Sequence, residues 1–312
     1  MPQKLSLNNF NLILTLALGG FFWALGLGGF EPLAAQELPA KVDSLKVLPQ
    51  PLDRGTVGLV ELAEGSADCL GDFDNRPIFF FSVKKDTKKP GSAAGIRWVG
   101  LFGADIMLKP GTYPLKVTCP GVGEARAQVV VRDKSYGVRV IKVPQAQVRL
   151  SEENQRRAAQ EKVLVDQALA TRSPERLWSG AFLEPVNGQV NSSFGRQTKL
   201  NGVLNPRPHA GADFLVPTGT PVKAPARGRV ILTGDHFFSG KAVYLDHGQG
   251  LISMYFHLSE IDVQDGDMVD KGQVIAKSGQ SGRVTGAHLH YGVYLNGARI
   301  DPMPFRKMTS RL

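Results

Sequence analysis

All six histidines of this 312-residue chain lie between positions 209 and 290. Four of them fall in three short motifs: an H-x-x-x-D motif formed by His209 and Asp213, a Tyr-Phe-His-Leu motif around His257, and an H-x-H motif formed by His288 and His290. Residues two or four apart on an extended strand point to the same face, so each paired motif can enter one cleft from a single strand. Catalytic zinc takes three N or O ligands and keeps a fourth position open for water. The spacing therefore predicts β-structure that brings the three motifs together as a mononuclear zinc hydrolase site.

Further short motifs surround these histidines between positions 182 and 302, and they are Ser193-Phe-Gly-Arg196, Pro217-Thr-Gly-Thr-Pro-Val-Lys-Ala-Pro225, Gly228-Arg-Val230, Asp246-His-Gly-Gln-Gly250, Gly272-Gln-Val-Ile275 and Thr285-Gly-Ala287. In order and spacing, this region resembles the lysostaphin-type (LytM-like) zinc endopeptidases, which cut peptide cross-links in bacterial peptidoglycan. The resemblance implies that one Zn²⁺ per chain is held by His209, Asp213 and His290. It also implies that His257 and His288 are the catalytic pair.

The presence of all five positions bears on which activity to expect. Some relatives in this family have lost ligands and only activate other hydrolases, whereas no ligand is missing here. We therefore expect an exported zinc metalloendopeptidase that acts on peptidoglycan. Two alternatives stay open: a non-catalytic cell-wall module that activates an amidase, and a zinc peptidase that acts on a protein or on a glycine-rich peptide.

The net charge of +9 limits the possible partners. A basic protein can bind nucleic acid, an anionic membrane surface or an anionic polymer. The chain has no helix-turn-helix pattern, zinc-finger spacing or RNP-like motif, so we expect no nucleic acid partner. Anionic cell-wall material fits the charge, although the charge can equally serve solubility alone.

The N-terminus indicates the compartment. Lys4 precedes an apolar run at 12–30, and small residues lead to Ala35. This order is typical of an export signal, so residues 1–35 are predicted to be a signal peptide. The apolar run is just long enough to span a bilayer, so an uncleaved membrane anchor is the alternative. Either case places the protein in the periplasm or cell envelope.

Two cysteines, Cys69 and Cys119, lie far from the histidine motifs, which excludes them as ligands. In an oxidising compartment a lone pair of cysteines can form a disulfide. Two buried free thiols are the alternative.

The remaining sequence predicts a mainly β protein with one helix. Residues 41–145 hold short β-branched or aromatic runs at 56–62, 78–83, 112–119, 127–131 and 138–143, separated by Gly, Pro, Asp and Lys. These runs predict strands of an Ig-like β-sandwich. Residues 151–178 are predicted to form a connecting helix that Ser151 can cap. Residues 180–305 are predicted to form the antiparallel β-sheet of a peptidase domain. We also expect the N-terminal half to hold activity down by supplying a side chain from residues 41–178 to the metal. A domain that only binds or spaces is the alternative.

The other two histidines and Tyr255 have predicted places of their own. Tyr255 can line a substrate groove or belong to the core. His247 follows Asp246 in a hairpin, which favours a structural or groove-edge role. His236 is expected to lie in an exposed loop.

Overall fold

The computed structural model describes residues 45–84, 95–142, 150–192 and 194–312. Within these ranges, no helix has the length and apolar character needed to cross a membrane. The predicted signal peptide or anchor at residues 1–35 lies outside the described residues, as does Ser193 of the motif that precedes the H-x-x-x-D pair.

Strands dominate the described chain, which confirms the prediction of a mainly β fold. The elements of the first half are β1 (Leu45–Leu48), β2 (Leu52–Asp53), β3 (Thr56–Leu62), β4 (Leu70–Phe73), β5 (Arg76–Lys84), β6 (Ile96–Ala104), β7 (Gly111–Cys119), β8 (Gly123–Arg132), β9 (Val138–Ile141) and helix α1 (Glu152–Leu169). Those of the second half are β10 (Gln189–Ser192), β11 (Gln197–Leu200), β12 (Val203–Leu204), β13 (Gly211–Leu215), β14 (Pro221–Lys223), β15 (Gly228–His236), β16 (Gly240–Asp246), β17 (Leu251–Ile261), β18 (Met268–Val269), β19 (Val274–Ser278), β20 (Leu289–Leu295), β21 (Ala298–Ile300) and helix α2 (Pro302–Thr309).

Strands β1 to β8 form one sheet that folds over itself, in the order β1-β3-β6-β5-β4-β7-β8-β2. Strand β5 belongs to both layers, because its residues 76–79 pair with β4 and its residues 80–84 pair with β6. Buried side chains from the two layers meet between them and include Phe73, Phe80, Phe102, Leu115 and Val129. The result is the β-sandwich predicted for the N-terminal region.

A disulfide joins the two cysteines inside this sandwich. Cys69 precedes β4, Cys119 ends β7, and the structure links them across 50 positions of sequence. Both side chains are buried with the apolar core of the sandwich. The prediction that the pair forms a disulfide is confirmed.

One layer of the sandwich is buried on both of its faces. On β3, Val60 and Leu62 point into the sandwich core, whereas Val57 and Leu59 join a second core cluster. That second cluster also contains Leu295 and many other side chains of the C-terminal half. A strand that is buried on both faces needs apolar residues at its odd and at its even positions, and β3 has apolar residues at both. The two halves of the chain therefore share one hydrophobic core.

Strand β9 pairs away from the sandwich. It was predicted as part of the sandwich, but it runs parallel to β11, with Val138 opposite Gln197 and Ile141 opposite Leu200. Together with β12, these strands form a small three-stranded sheet. The local prediction of a strand was right and its assignment to the sandwich was wrong.

Helix α1 begins directly after Ser151, as predicted, and ends at Leu169, nine residues before the predicted end at 178. The Ser151 hydroxyl accepts a hydrogen bond from the Asn154 N–H at 3.2 Å, which caps the first turn. Towards its end, Val165 and Leu169 pack against the second-half strands through a cluster that includes Tyr244 and Met254. The helix therefore lies on the C-terminal sheet.

The C-terminal sheet has the main strand order β10-β13-β20-β17-β16-β15-β18, and all of its pairs are antiparallel as predicted. Strands β14, β19 and β21 pair at its margins. The turn between β20 and β21 uses Asn296 and Gly297, both at positive φ, as the Asn-Gly signal predicts. Strands β13, β20 and β17 lie side by side and carry the histidine motifs.

Candidate metal centre

The sheet register brings the motifs together. Asp213 on β13 lies opposite His290 on β20, and His290 lies opposite Phe256 on β17. His209 precedes β13 by two residues, and its backbone N–H donates to the Arg196 carbonyl at 2.9 Å. Residues 81 positions apart in sequence therefore meet at one point of the sheet.

Three side-chain atoms converge there. His209 Nε2 and His290 Nδ1 lie 3.0 Å and 2.9 Å from Asp213 Oδ1, and the two nitrogens lie 3.0 Å from each other. Asp213 and His290 have only 17% and 11% of their side-chain surfaces exposed. Among the described residues, these three form the only group of His, Cys, Asp or Glu suited to holding a metal ion.

Gly211 makes this convergence possible. A Cβ atom at this position would lie 2.6 Å from His290 Nε2 and 2.5 Å from the Tyr291 carbonyl oxygen. Any larger residue would push the His290 ring out of place. The H-x-x-x-D motif therefore needs glycine at its centre.

The donor set suits zinc. Two imidazoles and one carboxylate match a catalytic zinc site, and zinc bonds of about 2.0–2.1 Å in a tetrahedron separate ligand atoms by about 3.3 Å. The observed separations of 2.9–3.0 Å are close to that spacing. A cation bound between them would also explain why the two nitrogens lie so close together, because the lone pairs of both would then point at the same ion.

His257 and His288 lie beside this group. Their ring centroids are 4.7 Å apart, and His288 Nε2 lies 3.9 Å from Asp213 Oδ1. His257 Nδ1 lies 3.0 Å from the Ser281 carbonyl oxygen, and His288 Nδ1 lies 2.8 Å from that of Gly286. A carbonyl oxygen only accepts, so each Nδ1 carries the hydrogen and each Nε2 keeps its lone pair.

Burial and charge set the protonation of the site. Burial, together with the neighbouring His290 and His288, lowers the pKa of His257 to about 4, so it is neutral at pH 7. Burial also lowers the pKa of His290. Burial alone would raise the pKa of the Asp213 carboxyl, but the neighbouring imidazoles of His209 and His290 outweigh burial and hold this pKa well below its usual range. Neutral imidazoles and an ionised carboxylate are the forms that bind a metal.

Two other histidines and Tyr255 have structural positions. His247 is fully buried, with Nδ1 donating to the Arg227 carbonyl at 2.8 Å and Nε2 lying 2.7 Å from Ser253 Oγ. Ser253 Oγ in turn lies 2.7 Å from the hydroxyl of Tyr255, which is fully buried in the core. His236 ends strand β15 and is buried, so its predicted place in an exposed loop was wrong.

The sequence did not reveal the aromatic support of the centre. The Phe256 ring stacks on the His290 ring at 5.1 Å with an interplanar angle of 4°, and the Tyr244 ring lies 5.4 Å from Phe256. Alternation along a strand places the neighbours Phe256 and His257 on opposite faces. No pattern in the sequence therefore predicts that both rings approach His290.

Comparison with known proteins identifies relatives. The model of the family described as Peptidase family M23 matches residues 207–302. The peptidoglycan DD-endopeptidase ShyA of Vibrio cholerae is 44% identical over 96 residues, which are 31% of this chain and 22% of that protein. Lysostaphin of Staphylococcus simulans is 37% identical over 110 residues, which are 33% of this chain and 22% of that protein. The match therefore spans under a quarter of the length of each of these two relatives.

A solved structure matches over most of the chain. A putative peptidase M23 from Pseudomonas aeruginosa is 35% identical, with a TM-score of 0.65. The likeness covers 84% of this chain and 97% of that one, so it includes the N-terminal strands as well as the metal centre.

Proposed function

Because the chain belongs to peptidase family M23, we propose that it is a zinc metalloendopeptidase that hydrolyses peptide cross-links of bacterial peptidoglycan. The observation that carries the proposal is the convergence of His209, Asp213 and His290, with the paired rings of His257 and His288 beside them. The name of the ShyA relative, a peptidoglycan DD-endopeptidase, supports the choice of substrate.

In this proposal, zinc is held by His209 Nε2, Asp213 Oδ1 and His290 Nδ1. When bound, zinc would supply the Lewis acidity that polarises a peptide carbonyl and makes water a better nucleophile. The protein fixes the three donors through the pairing of β13 with β20, through the Phe256 ring beneath His290, and through the gap at Gly211.

The proton transfers fall to His257 and His288. Each presents a lone pair at Nε2, because each Nδ1 donates to a backbone carbonyl. One accepts a proton from the attacking water, and the pair can return a proton to the leaving amine. Since both rings have the same tautomer, the proposal assigns this role to the pair rather than to one base.

The alternative of a non-catalytic module that activates an amidase is not favoured. Such a module has no need for proton carriers beside a complete metal group, and here both carriers lie beside it. Action on a different peptide, such as a glycine-rich one, is an outcome that the experiment below distinguishes.

We also propose that the protein acts in the periplasm or cell envelope. The peptidoglycan substrate lies outside the cytoplasm, and the Cys69–Cys119 disulfide is typical of an oxidising compartment. The net charge of +9 suits anionic cell-wall material. Export by residues 1–35, or anchoring by the apolar run at 12–30, remains part of this proposal.

Digestion of purified peptidoglycan tests the proposal, with mass analysis of the released fragments. The zinc-loaded full chain is expected to convert cross-linked fragments into uncross-linked ones. The His257→Ala variant and protein treated with a chelator serve as controls and are expected to release none. If the zinc-loaded protein leaves cross-linked fragments intact, the proposed substrate is wrong.

A further inference from the structure

The backbone of His257 adopts a conformation that needs external support. Its φ angle is +63°, in the left-handed region, although it lies within strand β17. A residue other than glycine in this region persists only where the surrounding structure holds it. The His257 N–H donates to the Ser239 carbonyl at 2.8 Å, and the ring donates to the Ser281 carbonyl. The placement of this histidine therefore depends on the segment that carries Ser239.

That segment, residues 237–239, joins β15 to β16 and is held from helix α1. Glu161 Oε2 accepts a hydrogen bond from the Phe237 N–H at 2.8 Å. Glu161 Oε1 accepts another from Arg157 Nε at 2.6 Å, and Arg157 Nη2 donates to the Asp235 carbonyl at 2.8 Å. The Glu161 side chain is only 15% exposed. Both carboxylate oxygens of Glu161 therefore accept hydrogen bonds, and one of these bonds comes from the segment itself.

Helix α1 has a second contact with the same side of the sheet. Val165 and Leu169 pack against a cluster that includes Tyr244, and the Tyr244 ring contacts the Phe256 ring that stacks on His290. The helix thus approaches the candidate centre both through the backbone beside His257 and through the aromatic layer beneath His290. A helix that only connects two domains has no need of either contact.

We propose that Glu161 is a positioning residue for His257: it fixes residues 237–239 through the Phe237 N–H, and the Ser239 carbonyl then holds His257 in its left-handed conformation. The role of His257 in proton transfer rests on the proposed function, whereas its placement by Glu161 does not. Helix α1 then belongs to the catalytic apparatus and is more than a connection.

Three variants of the full chain test this proposal. Glu161→Ala removes both acceptors, and Glu161→Gln keeps one side-chain oxygen for the Phe237 N–H. Glu153→Ala is the matched control, because Glu153 is an exposed acidic residue of the same helix. Amide hydrogen exchange of zinc-loaded protein reports on the placement of His257 without any substrate.

In Glu161→Ala, exchange at the Phe237 and His257 amides is expected to rise about tenfold, the loss expected for one hydrogen bond. Exchange elsewhere in β17 and β20 and the zinc content should not change, and Glu161→Gln should restore most of the protection. On a peptidoglycan fragment, kcat of Glu161→Ala should fall about tenfold to a hundredfold with KM unchanged, because small displacements of a reacting group have effects of this size.

Unchanged exchange at the His257 amide in Glu161→Ala would overturn the proposal. A uniform rise across β17 and β20, or loss of zinc, would also overturn it and would assign Glu161 a general role in stability. If the wild-type protein cleaves no peptidoglycan fragment, the proposed function fails, and the exchange measurement still decides whether Glu161 positions His257.

Discussion

The ion pair between Asp105 and Arg299 joins the sandwich to the C-terminal sheet, and its removal should destabilise the whole protein. Asp105 follows β6, is 5% exposed, and accepts hydrogen bonds from Arg299 Nε at 2.9 Å and Nη2 at 2.6 Å. The backbone N–H groups of Arg299 and Met107 donate to the same carboxylate at 2.8 and 2.7 Å. Arg299→Met would leave a buried carboxylate with only these two backbone donors.

The expected cost follows from that arrangement. Breaking a buried ion pair by removing one partner costs roughly 3–5 kcal/mol. Because two backbone donors remain, we expect the lower end of this range, about 3 kcal/mol of unfolding free energy at pH 7. Asp105→Asn combined with Arg299→Met removes the stranded charge and should recover part of this loss.

The pH dependence gives a second, independent signature. Burial alone would raise the pKa of the Asp105 carboxyl, but hydrogen bonds from Arg299 outweigh it and lower this pKa. The ion pair therefore stabilises the wild-type protein fully above the pKa that Asp105 has in the unfolded chain. This stabilisation is lost as the pH falls through the lower pKa that Asp105 has in the folded protein. In Arg299→Met, burial raises the pKa of Asp105, because the hydrogen bonds from the Arg299 side chain no longer oppose it. Protonation of Asp105 then removes part of the cost of burying its charge. The difference in unfolding free energy between Arg299→Met and the wild type should therefore narrow from pH 7 to about pH 4.

Urea denaturation of zinc-free protein at both pH values measures these differences. Lys277→Met is the control, because Lys277 and Glu260 form an exposed ion pair and such pairs contribute little. If Arg299→Met is as stable as this control at pH 7, or if its deficit does not shrink at pH 4, the reasoning is refuted.

Three further outcomes are expected. His290→Ala should lose most of the zinc measured by elemental analysis, whereas His257→Ala should keep it and still be inactive; zinc retention in the first variant would contradict the ligand assignment. Replacing Cys69 and Cys119 by Ala opens a loop of 50 positions and should lower the unfolding free energy by about 4 kcal/mol in denaturant titrations; an unchanged midpoint would count against this. Burial lowers the pKa of His247 from 6.5 to about 4. Neutral His247 therefore contributes fully to stability above pH 6.5, and about 3 kcal/mol of unfolding free energy is lost as the pH falls to 4. In His247→Gln, the unfolding free energy should depend less steeply on pH in the same titrations.

Features with local causes could be predicted from the sequence. Strand β3 covers the predicted positions 56–62, because β-branched and apolar residues there fit a pleated and buried surface. Helix α1 starts after Ser151 because a serine hydroxyl satisfies a free first-turn N–H. The five residues at the centre could be named because their motifs resemble those of the lysostaphin-type family in order and spacing, and the structure brings all five together.

Features that depend on distant partners could not be predicted. Strand β6 was missed because Gly100 and Gly103 weaken a strand pattern, yet these glycines are required by close packing. A Cβ at Gly103 would lie 2.7 Å from the Ala298 Cβ of β21, and one at Gly100 would lie 2.6 Å from Ile78. In the same way, nothing local to Val138 indicates that β9 pairs with β11.

The shared core also changes how inhibition by the N-terminal half can be tested. That inhibition stays a prediction, and a truncation at Ser179 would be a poor test of it. The truncation removes Phe81 and Trp178, whose rings are 5.6 Å apart, and Phe182 lies 5.4 Å from Trp178. Each buried side chain of this kind contributes roughly 1.5–3 kcal/mol. Loss of activity on truncation would therefore report unfolding, so single substitutions are the better probe.

The most direct test of the central claim is a zinc titration of metal-free protein against a defined, cross-linked peptidoglycan dimer. The centre formed by His209, Asp213 and His290 predicts that cleavage is absent without zinc and rises in proportion to added zinc until one equivalent per chain is bound. The Asp213→Ala variant should stay inactive throughout the titration. Cleavage by the metal-free protein, or equal cleavage by Asp213→Ala at one equivalent of zinc, would contradict the account.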